Sequence, residues 1–587
     1  MASSLTTLVP KSETAASSFR VKVDGAPLED KYGVSALMVN RCVNKIPFAQ
    51  LVLLDGDTSK LDYPASSAKV FVPGAKVEIL MGFGQKEKLV FKGVITKHSI
   101  QLLQNKPMLL TLELKDEAVK LTIGRKNKFF KDKKDSEMIE DLLAGFKGTV
   151  DATTVSHEEM VQYFCTDWDF VLSRADVNGM LAFVEDGKVN IKKPELTKTA
   201  KIAAVFGMNA YEFEAEMDAR DEYKAVEASS WDDSKREVVK KKGKKPALGK
   251  EDGDPTGDKL ADVVGPDVFA LQHSGQLKDV ELEAWASAKL LRSRMAKVQG
   301  RVKINGYNDI KPGDMIGIDQ FSKRFNGTVF VSSVMHSMSA DASYYTDIQF
   351  GLDQEWFSRK YMDISEQPAS GLLPSVSGLQ VGIVKKITED PQNDYRVFVN
   401  LPMVKAGSEG VWARLASLDA GKKRGTFFYP EIGDEVILGF MNDDPREPVI
   451  LGMLWSKNAD GKPPIEPTKD NYIKGIYTKE KLHLIFDDEK KTITLETPGK
   501  NKIFIADKDD SVITLEDSNK NKIKMSKDGI EITSAKDIKI NAKGDIKMEG
   551  VNVSASAKSQ FKAEGNSGVE VSSSATAKLK GSIVQIN

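Results

Sequence analysis

The residue types that support enzyme chemistry are scarce and widely spaced in this chain. It has neither a GxSxG nucleophile motif nor a GxxxxGK[ST] phosphate loop. No two histidines have the spacing of a metal-ligand pair such as HxH or HExxH; the five are His98, His157, His273, His336 and His483. We therefore expect no catalytic residues, no cofactor-binding residues, no metal ligands and no cofactor.

The two cysteines, Cys42 and Cys165, cannot form a disulfide framework for 587 residues. We interpret both as buried thiols in a chain that folds in a reducing cytosol. Cys165 and His157 could form a nucleophile–base pair. A buried thiol beside a histidine on a helix surface is the interpretation that we favour.

Two charged segments suggest ligands without specifying them. Residues 252–258 begin like a calcium loop, but its twelfth position would be Val263 and not glutamate. The basic run 235–245 could contact nucleic acid, but no aromatic residue interrupts it and an acidic run follows. We predict a solvated charged loop over residues 232–262.

Length and charge narrow the class of protein. A chain of 587 residues predicts three or four domains. Its 84 basic and 85 acidic residues are balanced, so we expect no nucleic-acid partner. No apolar run is long enough for a membrane helix, and residues 1–18 have no apolar core, so we expect no Sec-type signal.

The N-terminal part, residues 1–365, is predicted to be mixed but rich in strands. Alternating segments bounded by turn residues predict strands at Phe19–Val23, Lys76–Leu80 and Leu109–Leu114. Helices are predicted from Ser136, over Glu158–Phe164, over Trp168–Val177 and over residues 279–298.

A Pro/Gly/Ser-rich linker, residues 366–378, separates this part from residues 379–456. Five short strands are predicted there, which is typical of a small oligonucleotide/oligosaccharide-binding (OB) barrel; they are Gln380–Lys385, Tyr395–Asn400, Gly410–Ala416, Glu435–Phe440 and Val449–Met453. Trp412 and Phe428 could form a stacking platform. Core or interface positions are the interpretation that we favour.

A second linker, residues 457–471, precedes residues 472–587, where helix signals are almost absent. Five strands are predicted first, at Leu482–Phe486, Thr492–Glu496, Lys502–Ile505, Val512–Leu515 and Lys522–Met525. Pairs of apolar residues separated by one residue then recur about every eight residues. With one slip of phase near Val551, they are Ile530/Ile532, Ile538/Ile540, Ile546/Met548, Val551/Val553, Phe561/Ala563, Val569/Val571 and Ala577/Leu579.

Each pair lies on one face of a strand, but one short strand cannot enclose a core. Three sides are needed, either from successive repeats of one chain or from three chains. Seven units make only about two turns of a single-chain β-solenoid, whereas a trimer would use all seven as layers. The predicted trimer core is Ile530, Ile532, Ile538, Ile540, Ile546, Met548, Val553, Phe561, Val569, Val571 and Leu579.

Three segments together resemble the VgrG family, the spike proteins of type VI secretion and related contractile injection systems. Tyr163–Met180 resembles the family's tDwdFllRlaeeeGm stretch. Pro430–Val436 and Asp444–Val449 resemble its barrel pattern, as does Trp412-Ala-Arg414. The C-terminal repeat is the third segment, and the three follow the family's order over nearly the whole chain.

The resemblance implies a mainly β fold with some α. Residues 1–365 would be a phage-baseplate-hub-like domain of two β-barrel-like subdomains that docks on the tail tube. Residues 379–456 would be an OB-fold neck, and residues 472–587 a needle, an intertwined trimeric β-helix shaped as a triangular prism.

The function implied is mechanical: a homotrimeric puncturing spike that nucleates tube assembly, pierces a target envelope and delivers effectors. The implied partners are a hexameric tail tube protein, baseplate proteins, effector cargo and a PAAR-like tip protein. The tip protein would bind the apolar end at Ile583, Val584, Gln585, Ile586 and Asn587. The chain would be cytoplasmic before firing and would leave with the injection apparatus.

Two other classes of protein stay open at this point. A single-chain β-solenoid enzyme acting on polysaccharide would need carboxylates clustered on one repeat face, and here acidic residues are scattered among lysines. A trimeric adhesin or fibre would fit the needle but not the hub and neck segments. Whether the apparatus is membrane-anchored or released is also open.

Overall fold

The computed structural model describes residues 4–10, 15–56, 62–104, 106–249, 254–339, 343–458, 461–508 and 511–586. The chain divides into two compact units. The first unit is residues 1–377 with 441–445, and the second is residues 378–440 with 446–587. The domain boundaries expected above, with linkers at 366–378 and 457–471, stay predictions.

Strands β1 to β20 belong to the first unit: Ser17–Val23, Ala26–Pro27, Val34–Cys42, Phe48–Asp55, Lys76–Phe83, Lys88–Gln101, Met108–Lys115, Lys126–Lys134, Ser156–Cys165, Leu181–Glu185, Lys188–Lys192, Ile202–Val205, Ala210–Met217, Val226–Asp232, Glu237–Lys242, Phe269–His273, Val298–Asn305, Met315–Asp319, Gly327–Ser339 and Tyr344–Phe350. Helices α1 to α5 are Asp135–Leu142, Asp167–Val177, Gly257–Ala261, Asp279–Ala296 and Phe357–Lys360. Short 3-10 helices span Ser4–Leu8, Lys69–Phe71, Glu117–Thr122, Pro368–Gly371 and Met441–Asp443.

Thirteen of these strands form one sheet with two cores. Its order is β13-β17-β20-β19-β3-β4-β7-β6-β5-β1-β2, with β18 pairing β19 and β12 pairing β18. Alternate residues of β1 and β3–β7 enclose one core, which includes Leu51, Ile79 and Leu112. Strands β12 and β17–β20 enclose the other, which includes Val302 and Ile348. The two halves join where β19 pairs β3, which confirms the prediction of two β-barrel-like subdomains.

The predicted helices at Ser136, Trp168–Val177 and 279–298 are confirmed as α1, α2 and α4. The predicted helix over Glu158–Phe164 is wrong, because this segment lies in β9 and pairs with β8. Val161, Tyr163 and Phe164 are residue types that favour a strand once a neighbouring strand supplies hydrogen-bond partners. That partner is distant in sequence, so local spacing did not reveal it.

The predicted solvated loop over residues 232–262 is also wrong for much of its length. Strands β14 and β15 form a hairpin, and Gly257–Ala261 is α3. The lysines of β15 find carboxylates: Lys240 lies 3.2 Å from Glu227, and Lys241 lies 2.8 Å from Asp279 of α4. Residues 250–253, including Asp252 of the calcium-like loop, lie outside the described residues.

The second unit begins with the predicted five-stranded barrel. Strands β21 to β27 are Gln380–Lys386, Val397–Asn400, Val411–Leu415, Ala420–Gly421, Arg424–Gly425, Glu435–Phe440 and Pro448–Met453. The closed order is β21-β22-β23-β27-β26, and β24 and β25 form a small hairpin beside it. The barrel core includes Val384, Val399, Val436 and Ile450. Alternation of inward and outward residues along each strand produces this core.

A seven-stranded antiparallel sheet follows, which we call the meander. Its strands β28 to β34 are Ile473–Tyr477, His483–Asp487, Thr492–Glu496, Lys502–Ala506, Val512–Glu516, Lys522–Ser526 and Gly529–Thr533, in sequence order across the sheet. The five strands predicted here are confirmed to within one residue. From residue 534 to residue 586 no strand is assigned.

Candidate functional site

One face of the meander carries two continuous rows of apolar side chains, which we call the apolar columns. Residues two apart on a strand share a face, so each of the six strands from β29 to β34 contributes one residue to each column. The first column is Leu484, Leu495, Ile503, Leu515, Ile523 and Ile532, and the second is Phe486, Ile493, Ile505, Ile513, Met525 and Ile530. Neighbours within a column are directly opposed across the strand pairs, so the apolar face has no polar interruption.

The apolar columns are largely open to solvent in the single chain. Ile523 is 37% exposed, Leu495 is 46% exposed and Ile530 is 71% exposed. Each Å² of apolar surface kept out of water is worth roughly 25 cal/mol. Monomers rarely leave a contiguous apolar surface of this extent uncovered. The meander therefore presents a surface that is suited to an interface with another chain.

Residues 534–586 continue the same pattern without a strand partner. Ile538 is 56% exposed, Ile546 is 56% exposed and Phe561 is 70% exposed. Backbone amides and carbonyls in an ordered rod need hydrogen-bond partners. Within the described part of the chain, this segment forms no strand pairing that would supply them.

Asparagine side chains link successive turns along one edge of the meander. Asn501 Oδ1 accepts a hydrogen bond from the Ser518 backbone amide at 3.2 Å. Asn521 Oδ1 accepts from the Ala535 amide at 3.0 Å and from the Ser534 hydroxyl at 3.0 Å. The second link extends past the last strand, so the chain leaves the meander in a defined direction.

All eleven residues predicted for the trimer core are exposed in the single chain. Ile530 and Ile532 lie on β34 at the end of the apolar columns, and the other nine lie beyond it. At the predicted tip, Ile583 is 83% exposed and Ile586 is 89% exposed, with Val584 and Gln585 also open. Asn587 lies outside the described residues. Both assignments stay predictions.

Sequence reasoning missed a second apolar surface, at one end of the barrel. Strands β21 and β23 both run antiparallel to β22, so the loops that follow them, 387–396 and 416–434, leave at the same end. They expose a set of large side chains that we call the crown: Tyr395 at 83%, Leu418 at 97%, Phe427 at 83%, Phe428 at 57% and Ile432 at 64%. The run of three aromatic residues from Phe427 was a signal that could have revealed it.

The crown lies beside the start of the meander. Lys479, in the turn between β28 and β29, pairs with Glu431 of the crown loop at 2.9 Å. Of the two residues considered as a stacking platform, Phe428 belongs to the crown. Trp412 is half-buried on β23 against Phe398, with ring centroids 5.2 Å apart.

The one nucleophile–base pair considered from the sequence is excluded. His157 and Cys165 lie near opposite ends of β9, eight residues apart, and at about 3.3 Å per residue that separates them by roughly 26 Å. Burial also raises the pKa of the Cys165 thiol, which opposes thiolate formation. Cys165 is buried as predicted, whereas Cys42 is only half-buried.

The remaining chemistry-bearing residues have structural partners. His336 is buried and its ring Nδ1 lies 3.0 Å from the Tyr344 hydroxyl; burial and then Arg41 lower its pKa to about 3. Within the described ranges, no group of three His, Cys, Asp or Glu is placed to hold a metal ion. No helix in those ranges is long and apolar enough to span a membrane.

A buried ionic network holds helices α1 and α2 together in the first unit. The Asp135 carboxylate at the start of α1 accepts hydrogen bonds from Arg174 Nε at 2.6 Å and from Asn178 Nδ2 at 2.9 Å. His157 Nε2 lies 3.3 Å away. Burial acts to raise the pKa of Asp135, but the hydrogen bonds from His157 and Arg174 outweigh it and hold that pKa well below its usual range.

Three family models match the chain. The model described as the Alg8 N-terminal domain matches residues 13–340. The type VI secretion system/phage-baseplate injector OB domain matches residues 380–455. The phage baseplate V C-terminal trimerisation domain matches residues 492–587. The first match alone spans more than half of the 587 residues.

Three solved structures are similar to this chain at low sequence identity. A tail protein from Neisseria meningitidis is 13% identical, with 58% of this chain and 98% of that chain covered and a TM-score of 0.43. An E. coli type VI secretion component is described as structurally similar to the T4 bacteriophage tail proteins gp27 and gp5. It is 14% identical, with 74% of this chain and 99% of that chain covered and a TM-score of 0.36. A chain of a Francisella PdpA–VgrG complex is 11% identical, with 86% of this chain and 80% of that chain covered and also a TM-score of 0.36.

The two C-terminal matches describe structural parts of a baseplate injector, and they coincide with the closed barrel and with the segment that carries the apolar columns. A mainly β hub of two barrel-like halves precedes them. The chain therefore belongs to the family of the Alg8 N-terminal domain, and with its injector OB domain and C-terminal trimerisation domain it is a VgrG-like spike protein with a structural role in a phage-tail-like or type VI injection apparatus.

Proposed function

We propose that three copies of this chain form the puncturing spike at the tip of a contractile tail tube. The observation that carries the proposal is the pair of apolar columns, which are exposed on the meander and continue as exposed apolar pairs through residues 534–586. Both lie largely within the segment that matches the trimerisation domain. The work of such a spike is mechanical, and it needs no catalytic residue or cofactor.

In the proposed trimer, three meanders turn their apolar columns inward and close a triangular prism. Beyond Thr533 each chain would supply one strand per layer, with the trimer core running from Ile530 to Leu579. The first of the seven repeats lies on β34, so the six repeats that follow it would extend the rod by roughly 29 Å at about 4.8 Å per layer. Inter-chain ladders would satisfy the backbone groups that lack strand partners within the chain.

The same observation counts against a single-chain β-solenoid. A solenoid would pair successive repeats of one chain, and the described residues from 534 to 586 form no such pairs. The crown lies next to the meander, where Glu431 pairs with Lys479, so we include it in the proposed interface. Three crowns around the axis would cover their exposed aromatic side chains.

The two barrel-like halves of the hub support docking on the tube. Three protomers would present six similar halves, which suits a hexameric ring of tail tube protein, and this docking would nucleate tube assembly within the baseplate. Sheath contraction would then drive the spike from the cytoplasm through a target envelope with its effectors. The solved PdpA–VgrG complexes are consistent with a spike that binds other proteins.

The oligomeric mass of the purified full chain tests the proposal directly. Light scattering or native mass spectrometry should give three chain masses at micromolar concentration. A chain that is monomeric at that concentration would contradict the trimer and restore the solenoid as an interpretation.

We also propose that the exposed end at Ile583, Val584 and Ile586 binds a cone-shaped PAAR-like tip protein. Replacing Ile583 and Ile586 with Ser is expected to reduce tip-protein capture at least tenfold while the trimer stays intact, because loss of two buried isoleucines removes several kcal/mol of apolar contact. The measurement is pull-down of the PAAR-like protein. The matched control is Lys578→Ser with Lys580→Ser, which should retain capture. Undiminished capture by the isoleucine variant would refute the assignment.

A further inference from the structure

Three segments of the first unit converge on one amide group. Lys289 lies on α4, Gln354 follows β20, and Asp221 follows β13. Lys289 Nζ donates hydrogen bonds to Gln354 Oε1 at 2.8 Å and to the Gln354 backbone oxygen at 3.2 Å. The Tyr223 hydroxyl donates to the same Oε1 at 3.2 Å. Gln354 Nε2 donates to the Asp221 carboxylate. The side-chain amide of Gln354 is thus engaged at both its oxygen and its nitrogen.

The surroundings of Lys289 combine apolar rings with nearby positive charges. Lys289 is 5% exposed. The rings of Tyr223, Phe269 and Trp356 lie 5.6–5.9 Å from its Nζ. Burial, and then the charges of Arg359 and Arg292, lower the pKa of Lys289 to about 8. With a pKa of about 8, Lys289 is neutral, and therefore nucleophilic, in roughly one molecule in ten at pH 7.

The groups around the amide match what acyl transfer needs. A nucleophile lies within reach of the carbonyl, because an atom 2.8 Å from Oε1 is at most about 4 Å from Cδ across a C=O bond of about 1.23 Å. The Tyr223 hydroxyl is placed to stabilise an oxyanion on Oε1. Asp221 contacts the leaving nitrogen, and burial, followed by the charge of Asp218, raises its pKa toward that of a proton carrier.

We propose that Lys289 and Gln354 form an intramolecular isopeptide bond. The neutral Nζ attacks Cδ, and the electrons of the C=O bond move to Oε1, which Tyr223 stabilises. Asp221 carries a proton from Nζ to Nε2, the Cδ–Nε2 bond breaks, and ammonia leaves as the carbonyl re-forms. One amide replaces another, so the step needs no oxidant, reductant or added reagent.

The cross-link would join residues 65 positions apart. It ties α4 to the segment after β20 and closes a covalent loop that contains strands β17 to β20 of the second barrel-like half. Such a loop restricts the unfolded chain and resists forced opening of that half. A component that transmits the thrust of a contracting sheath would benefit from this link, but the inference itself does not depend on the trimer.

The intact mass of the purified, denatured full chain tests the proposal. The expected mass is lower than the sequence mass by one ammonia. Tryptic mapping is expected to give one branched peptide that joins Lys289 to Gln354, with no cleavage after Lys289. A full sequence mass, or a loss of ammonia that maps elsewhere, would overturn the proposal.

Variants distinguish the roles of Lys289, Gln354 and Asp221 in the proposed cross-link. Lys289→Arg and Gln354→Met should both restore the full mass, and Asp221→Asn should leave the chain unlinked or link it at least tenfold more slowly. Lys303→Arg, at a half-buried β17 lysine paired with Glu212, is the control and should keep the loss of ammonia. The same branched peptide from the Lys289→Arg chain, or unchanged linking in Asp221→Asn, would contradict the assigned chemistry.

Discussion

A chain in which Ile538 and Ile546 are both replaced with Asp is expected to stay monomeric. The proposed threefold arrangement would place three copies of each position around one axis, so the variant would bring three carboxylates together in each of two layers. The effective cost of burying a charge without a partner is several kcal/mol per ion, and here like charges also repel. The apolar contacts that the two isoleucines would make are lost as well.

Sedimentation or native mass spectrometry of the full chain measures this outcome. The matched control replaces Lys539 and Lys547, the adjacent residues of the same two repeats, with Asp. These positions point to the opposite side of a strand, so the control is expected to remain trimeric. Trimers formed by the isoleucine variant at the same concentration as the control would contradict an inward-facing Ile538 and Ile546.

Replacing Asp135 with Asn is expected to lower the free energy of unfolding of the first unit by about 3 kcal/mol at neutral pH. Breaking a buried ion pair from one side typically costs 3–5 kcal/mol, because the other charge loses its partner. We expect the lower end of this range because Glu281, 3.6 Å from Arg174, would still partner the arginine. Among the described residues all α-helices lie in the first unit, so the helical circular dichroism signal in a urea titration reports on it.

The direction of the pKa shift of Asp135 determines how its contribution to the free energy of unfolding changes with pH. The pKa of Asp135 is held below its unfolded value of about 3.9, so its stabilising effect is fully present above that pH and is lost as pH falls toward the folded pKa. The difference between wild type and Asp135→Asn should therefore shrink in acid. Asp141 lies on the same helix as Asp135 and forms a surface pair with Lys133 of β8, so Asp141→Asn should change the stability by less than about 1 kcal/mol. A difference that widens as pH falls would contradict the network.

The local parts of the fold were predictable from sequence. Strands β26 and β30 match their predicted bounds, Glu435–Phe440 and Thr492–Glu496, because period-two alternation between turn residues is a local signal. Helix α4 was predicted for the same kind of reason, from apolar residues at helical spacing. Such signals require only the residues of the element itself.

The errors lie where a distant partner decides the structure. Strand β9 was predicted as a helix because its partner β8 precedes it by more than twenty residues. The hairpin of β14 and β15 was predicted as a solvated loop because the carboxylates that pair with its lysines lie partly on α4. The meeting of Lys289, Gln354 and Asp221 had no sequence signal, since each comes from a different element.

By itself the sequence determined the strands of the meander, and beyond Thr533 it predicts a stack of short strands, because two apolar residues separated by one residue share a face in an extended chain. It also determined the five-stranded barrel and the order of the parts. Only the tertiary structure decided that the C-terminal part has two sections: a meander that pairs within its own chain to Thr533, and a segment to residue 586 that has no strand partner there. The physical reason is that strand pairing joins backbone groups from separate segments, so the pattern of side chains defines a face but not the strand that covers it.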